Sequence, residues 1–339
     1  MAPKDRTNAT LPIVHHKLLA TVRAKGGRNP TRVPLNTPKQ TTPLTVRPVV
    51  PPSVPAKVGP RRPALRAIAD LASGQAHAQS RNWSGVVVPA TGGKRFSLIT
   101  ASWKVPHVTK PSNREHSYIS IWIGLGGSYR ASRSMPQMGS EHGWDGATGA
   151  PVNRLWCQWW LGAENSAGYL SHYIDVGQAQ LVAGDTITCW LEVDPGGIKV
   201  KYHWRWTRNN TTIDFCAEDT RDVPVMADTA NWIVERPTEV IVNAKKPSGY
   251  ELGGHHPLPV IHAAGGGILP SGDVAATMED CIARLGPGGA DELVRQPIDG
   301  QLVSLRSIVP GSSRSFVELE PAIPVDRSKN RIDIVRHLP

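Results

Sequence analysis

Cysteine is scarce in this sequence, and the spacing of the few cysteines excludes the common metal sites. The 339 residues include four of them: Cys157, Cys189, Cys216 and Cys281. No two form a CxxC pair and no histidine completes a zinc-type spacing, so we predict no metal site and no cofactor. Two disulfides in an oxidising compartment, or four buried thiols, are both compatible with this pattern.

Long apolar runs are also absent. No stretch of about 18 apolar residues could span a bilayer, so we expect no membrane contact. The apolar stretch over residues 11–22 is interrupted by His15, His16 and Lys17, which leaves no recognisable export signal. These features leave the compartment undetermined.

The body of the chain lacks an excess of positive charge, although the whole sequence carries a formal charge of +10. Residues 1–80 hold 13 Lys/Arg against two acidic residues, a net of +11, whereas residues 81–339 hold 25 against 26, a net of −1. A folded body that binds phosphates would need an excess of positive charge within residues 81–339. We therefore expect no nucleic-acid partner.

The same division suggests how the chain is organised. Residues 1–80 are rich in proline and basic residues, and we predict a disordered N-terminal segment that could act as a prosegment. Apolar residues at three-residue steps predict a short helix, docked or transient, over 63–73. A β-rich domain is predicted over 81–325, followed by a C-terminal tail over 326–339.

Short runs of β-branched and aromatic residues, separated by turn signals, begin near Arg81. Turns at 194–197 and 208–210 join consecutive runs and predict hairpins. Only 275–285 looks helical or irregular. The pattern predicts an all-β, antiparallel sandwich or barrel, with strands at 86–88, 96–105, 118–125, 154–161, 185–193, 198–207, 232–235, 239–243, 301–308 and 315–320.

Period-2 alternation sorts several of these strands into two faces. Trp122, Gly124 and Gly126 share one face of their strand, opposite isoleucines and a leucine. Trp156 and Gln158 share a face in the same way. Small and aromatic residues together favour a groove floor that binds a ligand, although plain packing of an aromatic sheet face gives the same pattern.

In the strand at 231–235, Asn231 and Glu235 point to the same side, among apolar neighbours. A glutamate there is costly unless it is paired or functional, but a charge on the sheet surface is the simpler interpretation for one isolated residue. Gln137 is uninformative by itself.

Taken together and in order, these segments resemble the glutamic peptidases, or eqolisins. The resemblance covers roughly residues 80–270. It rests on seven short motifs: Asn82-Trp83-Ser84-Gly85, Ala101-Ser102-Trp103-Lys104-Val105-Pro106, Trp122-Ile123-Gly124-Leu125-Gly126-Gly127, Pro136-Gln137-Met138-Gly139, Trp156-Cys157-Gln158-Trp159-Trp160, Gly184-Asp185 and Ala230-Asn231-Trp232-Ile233-Val234-Glu235.

The resemblance implies a concanavalin-like sandwich of two large antiparallel sheets and an endopeptidase with polypeptide substrates. It places the catalytic glutamine on Gln137 and the catalytic glutamate on Glu235. Such an enzyme needs no nucleophilic serine or cysteine, because a carboxylate activates water and an amide donates to the oxyanion. A monomer is expected, and the family suggests secretion. The remaining candidate substrate-binding residues are Trp122, Gly124, Gly126, Trp156, Gln158 and Asn231.

The chain departs from the fungal members of the family at several positions near the two catalytic residues. Met138 replaces a threonine. Three acidic positions are neutral here, namely Gly126, Gln158 and Asn231. Because neighbouring carboxylates shift each other's titrations, we expect activity at a less acidic pH than in those relatives.

Two other functions fit part of the pattern. A glycoside hydrolase could use Glu235 and Glu141 as paired carboxylates on an aromatic-lined sheet. A lectin-like or peptide-binding module could use the tryptophans for stacking, with Glu235 as a simple hydrogen-bond acceptor. The order of the motifs favours the peptidase.

Overall fold

The computed structural model of the protein describes residues 21–24, 68–69, 76–111, 116–127, 134–146, 148–160, 172–174, 180–242, 250–286, 300–309, 311–322 and 330–338. These residues form strands, turns and loops, with no helix among them. The strands are β1 (Thr21–Ala24), β2 (Ile68–Ala69), β3 (Ala76–Ser80), β4 (Trp83–Pro89), β5 (Phe96–Lys104), β6 (His107–Thr109), β7 (Ser117–Leu125), β8 (Met135–Asp145), β9 (Ala150–Trp160), β10 (His172–Ile174), β11 (Thr186–Val193), β12 (Lys199–Arg208), β13 (Thr211–Thr220), β14 (Thr229–Glu235), β15 (Thr238–Val242), β16 (Tyr250–His255), β17 (Val260–His262), β18 (Val274–Leu285), β19 (Gln301–Ile308), β20 (Ser315–Pro321) and β21 (Ile332–Arg336).

Hydrogen bonds join 17 of these strands into one sheet. Its longest path runs β10-β9-β8-β7-β14-β4-β19-β20-β21-β18-β5-β11-β12-β13-β1, and every pairing along it is antiparallel. Strand β3 pairs in parallel with β19 and also binds β2. Two separate pairs, β15–β16 and β6–β17, complete the described strands.

The main hydrophobic core draws its residues from strands that lie far apart along this path. Strands β5 and β8 are far apart along the path, yet Trp103 donates its indole N–H to Ser140 Oγ at 2.8 Å. Likewise Trp232 on β14 donates to the carbonyl oxygen of Thr100 on β5, at 3.0 Å. The all-β prediction is confirmed. The hydrogen bonds join one continuous sheet, so the division into two large sheets stays a prediction.

All ten predicted strands coincide with observed strands, but the helical or irregular interpretation of 275–285 is wrong, because this segment is β18. Register shifts between Val274 and Ala276 and around Asp280, whose φ is 52°, each add one residue to the strand. Ala275, Met278 and Cys281 are therefore buried at three-residue steps, which imitates a helical period.

Strands of the main sheet extend past both predicted domain boundaries, and the division into domains stays a prediction. Ala76–Ser80 forms β3 and pairs with β19, so the sheet begins before residue 81. Ile332–Arg336 forms β21 between β18 and β20, so this part of the predicted tail is an inner strand with alternating buried residues. Ile68–Ala69 forms β2, which contradicts the predicted helix at these two residues. The remainder of residues 1–75, apart from β1, lies outside the described residues.

The four cysteines are present as separate thiols, and three of them are buried. Burial raises the pKa of Cys189 and Cys281 well above the usual value. In the structure, therefore, these residues act as small apolar side chains of the core.

No helix among the described residues is long and apolar enough to cross a membrane.

Candidate active site

A second, smaller hydrophobic cluster lies on the opposite face of β4, β7, β8, β9 and β14 from the main core. We call this surface the site face. Its apolar members come mainly from these five strands: Ala78, Trp83, Val87, Trp122, Met135, Trp156, Trp160, Ile233 and Val303. The isoleucines of β7 belong to the main core, as period-2 alternation predicts.

The strand register arranges the site face in three rows that cross β14, β7, β8 and β9. The rows are Asn231–Gly124–Gln137–Gln158, Ile233–Trp122–Gly139–Trp156 and Glu235–Ser120–Glu141–Arg154. The structure thus brings seven of the eight predicted site residues onto one face. Gly126 lies just beyond the end of β7.

Gln137 lies on β8 and Glu235 on β14, with β7 between them. Their partners on β7, Gly124 and Ser120, are four residues apart. With about 4.8 Å between strands and 3.3 Å per residue, their Cα atoms are about 16 Å apart. This separation is longer than the two side chains can bridge directly. Trp122 lies at the middle of the diagonal that joins them.

Glu235 is fully buried, and each of its carboxylate oxygens accepts a hydrogen bond. Asn82 Nδ2 donates to Oε1 at 2.7 Å, and Trp122 Nε1 donates to Oε2 at 2.8 Å. Ser80 Oγ donates to Asn82 Oδ1, which fixes the orientation of the Asn82 amide. Both hydrogen bonds come from N–H donors, so the two oxygens of the Glu235 carboxyl group are held in fixed positions on the site face.

Gln137 is also fully buried, and its Nε2 donates to Gln158 Oε1. The partner therefore sets the direction of the Gln137 amide. Gly124 makes room for it, since a Cβ at Gly124 would lie 3.1 Å from the Cβ of Gln137. This contact explains why a small residue stands beside Gln137 in the first row.

Asn231 binds the backbone at the end of β7. Its Nδ2 donates to the carbonyl oxygens of Gly124, at 3.2 Å, and Gly126, at 2.8 Å. Gly126 has a φ of 81°, which favours glycine. Both donors of the Asn231 amide thus hold this turn, although the residue was predicted to contact substrate.

Glu141 lies in the same row as Glu235, two strands away. It is fully buried, and Arg154 Nε donates to its Oε1 at 2.7 Å. The Arg154 side chain is 22% exposed, so the guanidinium lies at the edge of the site face. A second carboxylate is therefore present on this face, with its charge balanced by an arginine.

The opposite face of β8 carries a different polar group. His142 Nδ1 donates to Asn153 Oδ1 at 2.8 Å, so Nε2 accepts from Ser140 Oγ at 2.7 Å. Ser140 Oγ in turn accepts from the indole of Trp103. Burial lowers the pKa of His142 to about 4, opposed by the hydrogen bond to Asn153.

The sequence analysis did not select Asn82, Ser120 or Arg154 as site residues. Asn82 stands in the Asn-Trp motif, whose order along the chain could have indicated it. Ser120 accepts from the indole of Trp156 at 3.1 Å and lies between Glu235 and Glu141. Arg154 could have been found only through its pairing with Glu141, which depends on the register of β8 and β9.

Comparisons with known proteins find the same fold in solved structures. Two crystal structures of scytalido-glutamic peptidase, one with a transition state analog inhibitor and one with a peptide-based transition state analog, each give a TM-score of 0.50. Each has 14% sequence identity and covers 76% of this chain and 98% of its own. This likeness concerns the fold. A search of curated proteins finds no significant sequence match.

A family model gives the more specific result. The peptidase A4 family matches residues 81–249, a segment that contains β4 to β15 and every residue of the three rows. The chain belongs to the peptidase A4 family, and it is a peptidase of the glutamic type.

Proposed function

We propose that the protein is an endopeptidase in which Glu235 activates water and Gln137 stabilises the oxyanion. One observation carries the proposal. A fully buried carboxylate and a fully buried amide share one sheet face, and each is oriented by a second side chain. A glutamate that served only as a charge on the sheet surface would be exposed to water and would not need two hydrogen-bond donors from other side chains.

The chemistry follows from the two environments. Glu235, ionised through the N–H groups of Asn82 and Trp122, takes a proton from a water molecule as that water attacks the scissile carbonyl. The Gln137 amide donates an N–H to the oxygen that becomes negative. Glu235 then returns the proton to the leaving amine, so no covalent enzyme intermediate forms.

The other residues of the site face contribute to substrate binding in this proposal. Trp122 and Trp156, both fully buried, form the floor beside Glu235 and Gln137, and Gly124 and Gly126 keep side chains away from the path of an extended polypeptide. Gln158 and Asn231 act mainly by orienting Gln137 and the end of β7. A monomer with its sheet folded into a two-layer sandwich would present this face to a polypeptide substrate.

The test compares Glu235→Gln and Gln137→Ala with the wild type on a denatured protein substrate. Each substitution should lower kcat/KM at least about a hundredfold, as loss of an oxyanion donor does in other hydrolases. Circular dichroism should show an intact fold. Glu279→Gln, which changes an exposed carboxylate, is the matched control. Wild-type turnover in either variant would refute the mechanism.

A glycoside hydrolase is the second candidate, because Glu141 and Glu235 share a row on the same face. Its general acid would have to be protonated, whereas Arg154 beside Glu141 favours an ionised carboxylate. Sugar release that is lost in Glu141→Gln would support this alternative. Binding of peptides or sugars without turnover by the wild type would support a lectin-like module.

A further inference from the structure

Arg236 directly follows Glu235 and binds two consecutive backbone carbonyls. Its own N–H donates to the carbonyl oxygen of Asn82 at 2.8 Å. Its side-chain Nη2 donates to the carbonyl oxygen of Arg81 at 2.7 Å. One residue thus fixes the segment just before β4, and this segment contains Asn82.

The other side of the Arg236 guanidinium is tied to the strands β19 and β20. Nη1 donates to Ser307 Oγ at 2.6 Å and lies 3.4 Å from Glu318 Oε2, while Ser307 Oγ also donates to Glu318. The Arg236 and Glu318 side chains are each only 15% exposed. Burial lowers the pKa of Arg236, and Glu318 opposes this effect. The guanidinium therefore connects three separate parts of the sheet.

Asn82 links this connection to Glu235. Its Nδ2 donates to Glu235 Oε1, and its Oδ1 accepts from Ser80 Oγ at 3.1 Å. The position of the amide depends on the backbone at residues 81–82, which Arg236 holds through two carbonyls. A shift of that backbone would move the donor away from the carboxylate.

We propose that Arg236 is a positioning residue for Glu235, acting through Asn82. The guanidinium is suited to this role because its planar fork binds carbonyl, hydroxyl and carboxylate oxygens simultaneously, which a lysine ammonium at the end of a flexible stem does less well. The inference rests on the proposed function of Glu235 as the base. It adds a residue that touches neither the substrate nor the reacting atoms.

The test measures kcat and KM for Arg236→Met, Asn82→Ala and the double variant. Loss of alignment by about 1 Å can lower turnover on the order of a hundredfold, so we expect kcat to fall about 10- to 100-fold in each single variant while KM stays within about twofold. The double variant should be no worse than Asn82→Ala alone. Arg236→Lys should recover part of the loss.

The matched control is Arg221→Met. Arg221 has the same 15% side-chain exposure and also pairs with a carboxylate, that of Asp219, but it lies in another part of the chain. A purely structural effect would lower kcat equally in Arg221→Met and Arg236→Met. If the two variants behave alike, or if the Asn82 and Arg236 effects multiply in the double variant, the positioning role is wrong.

A second readout separates this inference from the proposed function. A ¹³C NMR titration of the Glu235 carboxyl should show a raised pKa in both Asn82→Ala and Arg236→Met, because each weakens a hydrogen bond to the charged form. This measurement needs no peptidase activity. An unchanged pKa in Arg236→Met would overturn the positioning role, whereas an active Glu235→Gln variant would overturn the proposed function alone. Glu318→Gln serves as the second variant if Arg236→Met does not fold.

Discussion

The two faces of β8 are both buried and both polar, yet they are built differently. One face carries Gln137 and Glu141 on the site face, and the other carries Ser140 and His142 in the main core. On the core face, neutral donors and acceptors form a chain from Trp103 through Ser140 and His142 to Asn153. On the site face, carboxylates are held by N–H groups of amide, indole and guanidinium side chains.

This difference between the two faces of β8 shows that burial of polar residues does not by itself identify an active site. A chain of neutral hydrogen bonds is a stable way to bury polar groups, because each donor meets an acceptor within the core. Buried carboxylates are expensive to desolvate unless they are paired, so the two on the aromatic site face are candidates for a function. The following substitutions test whether the two faces separate into stability and activity in this way.

The largest effect is expected for Gly139→Ala, at the centre of the site face. A Cβ there would lie 2.1 Å from the Ile121 carbonyl oxygen and 2.7 Å from the Trp122 Cβ. Backbone must move, so we expect a loss of at least about 3 kcal/mol in the free energy of unfolding, at the upper end for overpacking. Gly267→Ala, where no atom lies within 4 Å, is the control. Equal unfolding midpoints in urea would contradict the close packing.

The core face should make the protein sensitive to acid. The pKa of His142 is about 4 in the folded protein and about 6.5 when unfolded, so the unfolded state binds more protons between these values. Stability is therefore fully present above pH 6.5 and falls as the pH decreases toward 4. The loss from this residue reaches about 3 kcal/mol. His255 and His256, with pKa values also lowered to about 4, act in the same direction.

Urea unfolding of the wild type and His142→Gln at pH 7 and pH 4 checks this prediction. The variant should be less stable at pH 7, because the hydrogen-bonded chain is broken, and should depend less on pH. His337→Gln, at an exposed histidine outside this chain of hydrogen bonds, is the matched control. A His142→Gln variant with the same pH dependence as the wild type would exclude His142 as the source.

The smallest effect concerns the charge pair on the site face. Arg154→Gln removes the guanidinium that pairs with Glu141, whose carboxyl group lies about 10 Å from Glu235 by the strand spacing. At an effective dielectric constant of about 20, like charges at this distance repel by more than 1 kcal/mol, so the acidic limb of kcat/KM should move up by about one pH unit. The double variant Glu141→Gln, Arg154→Gln should restore it. Identical profiles in the single and double variants would argue against this coupling.

The sequence predicted most strands and the faces of β7, β9 and β14, because alternation of large apolar residues follows directly from burial on one side of a sheet. It did not predict β8, although this strand carries Gln137. Its sequence contains a proline, two glycines and polar residues on both faces, since both sides are buried and one is the site. Strand β18 was missed because its bulge changes the period.

For the candidate site, the order of the motifs selected Gln137 and Glu235, and alternation assigned Trp122, Gln158 and Asn231 to the strand faces on which the structure has them. The offset of four residues between Gln137 and Glu235 could not be predicted, because it depends on the register of three strands that are distant in sequence. Asn82 and Arg154 depend on the same long-range register. Local sequence therefore gives the face of a residue, and only the fold gives its partners.

The position of strand β14 within the sheet determines how readily the strand opens. It is hydrogen-bonded to β4 on one side and to β7 on the other, and all seven of its residues are buried. Its amide protons can exchange with solvent only when a large part of the sheet opens. Local opening of β14 alone is therefore unfavourable. The slowest-exchanging amides of the protein should include those of this strand, which carries Glu235.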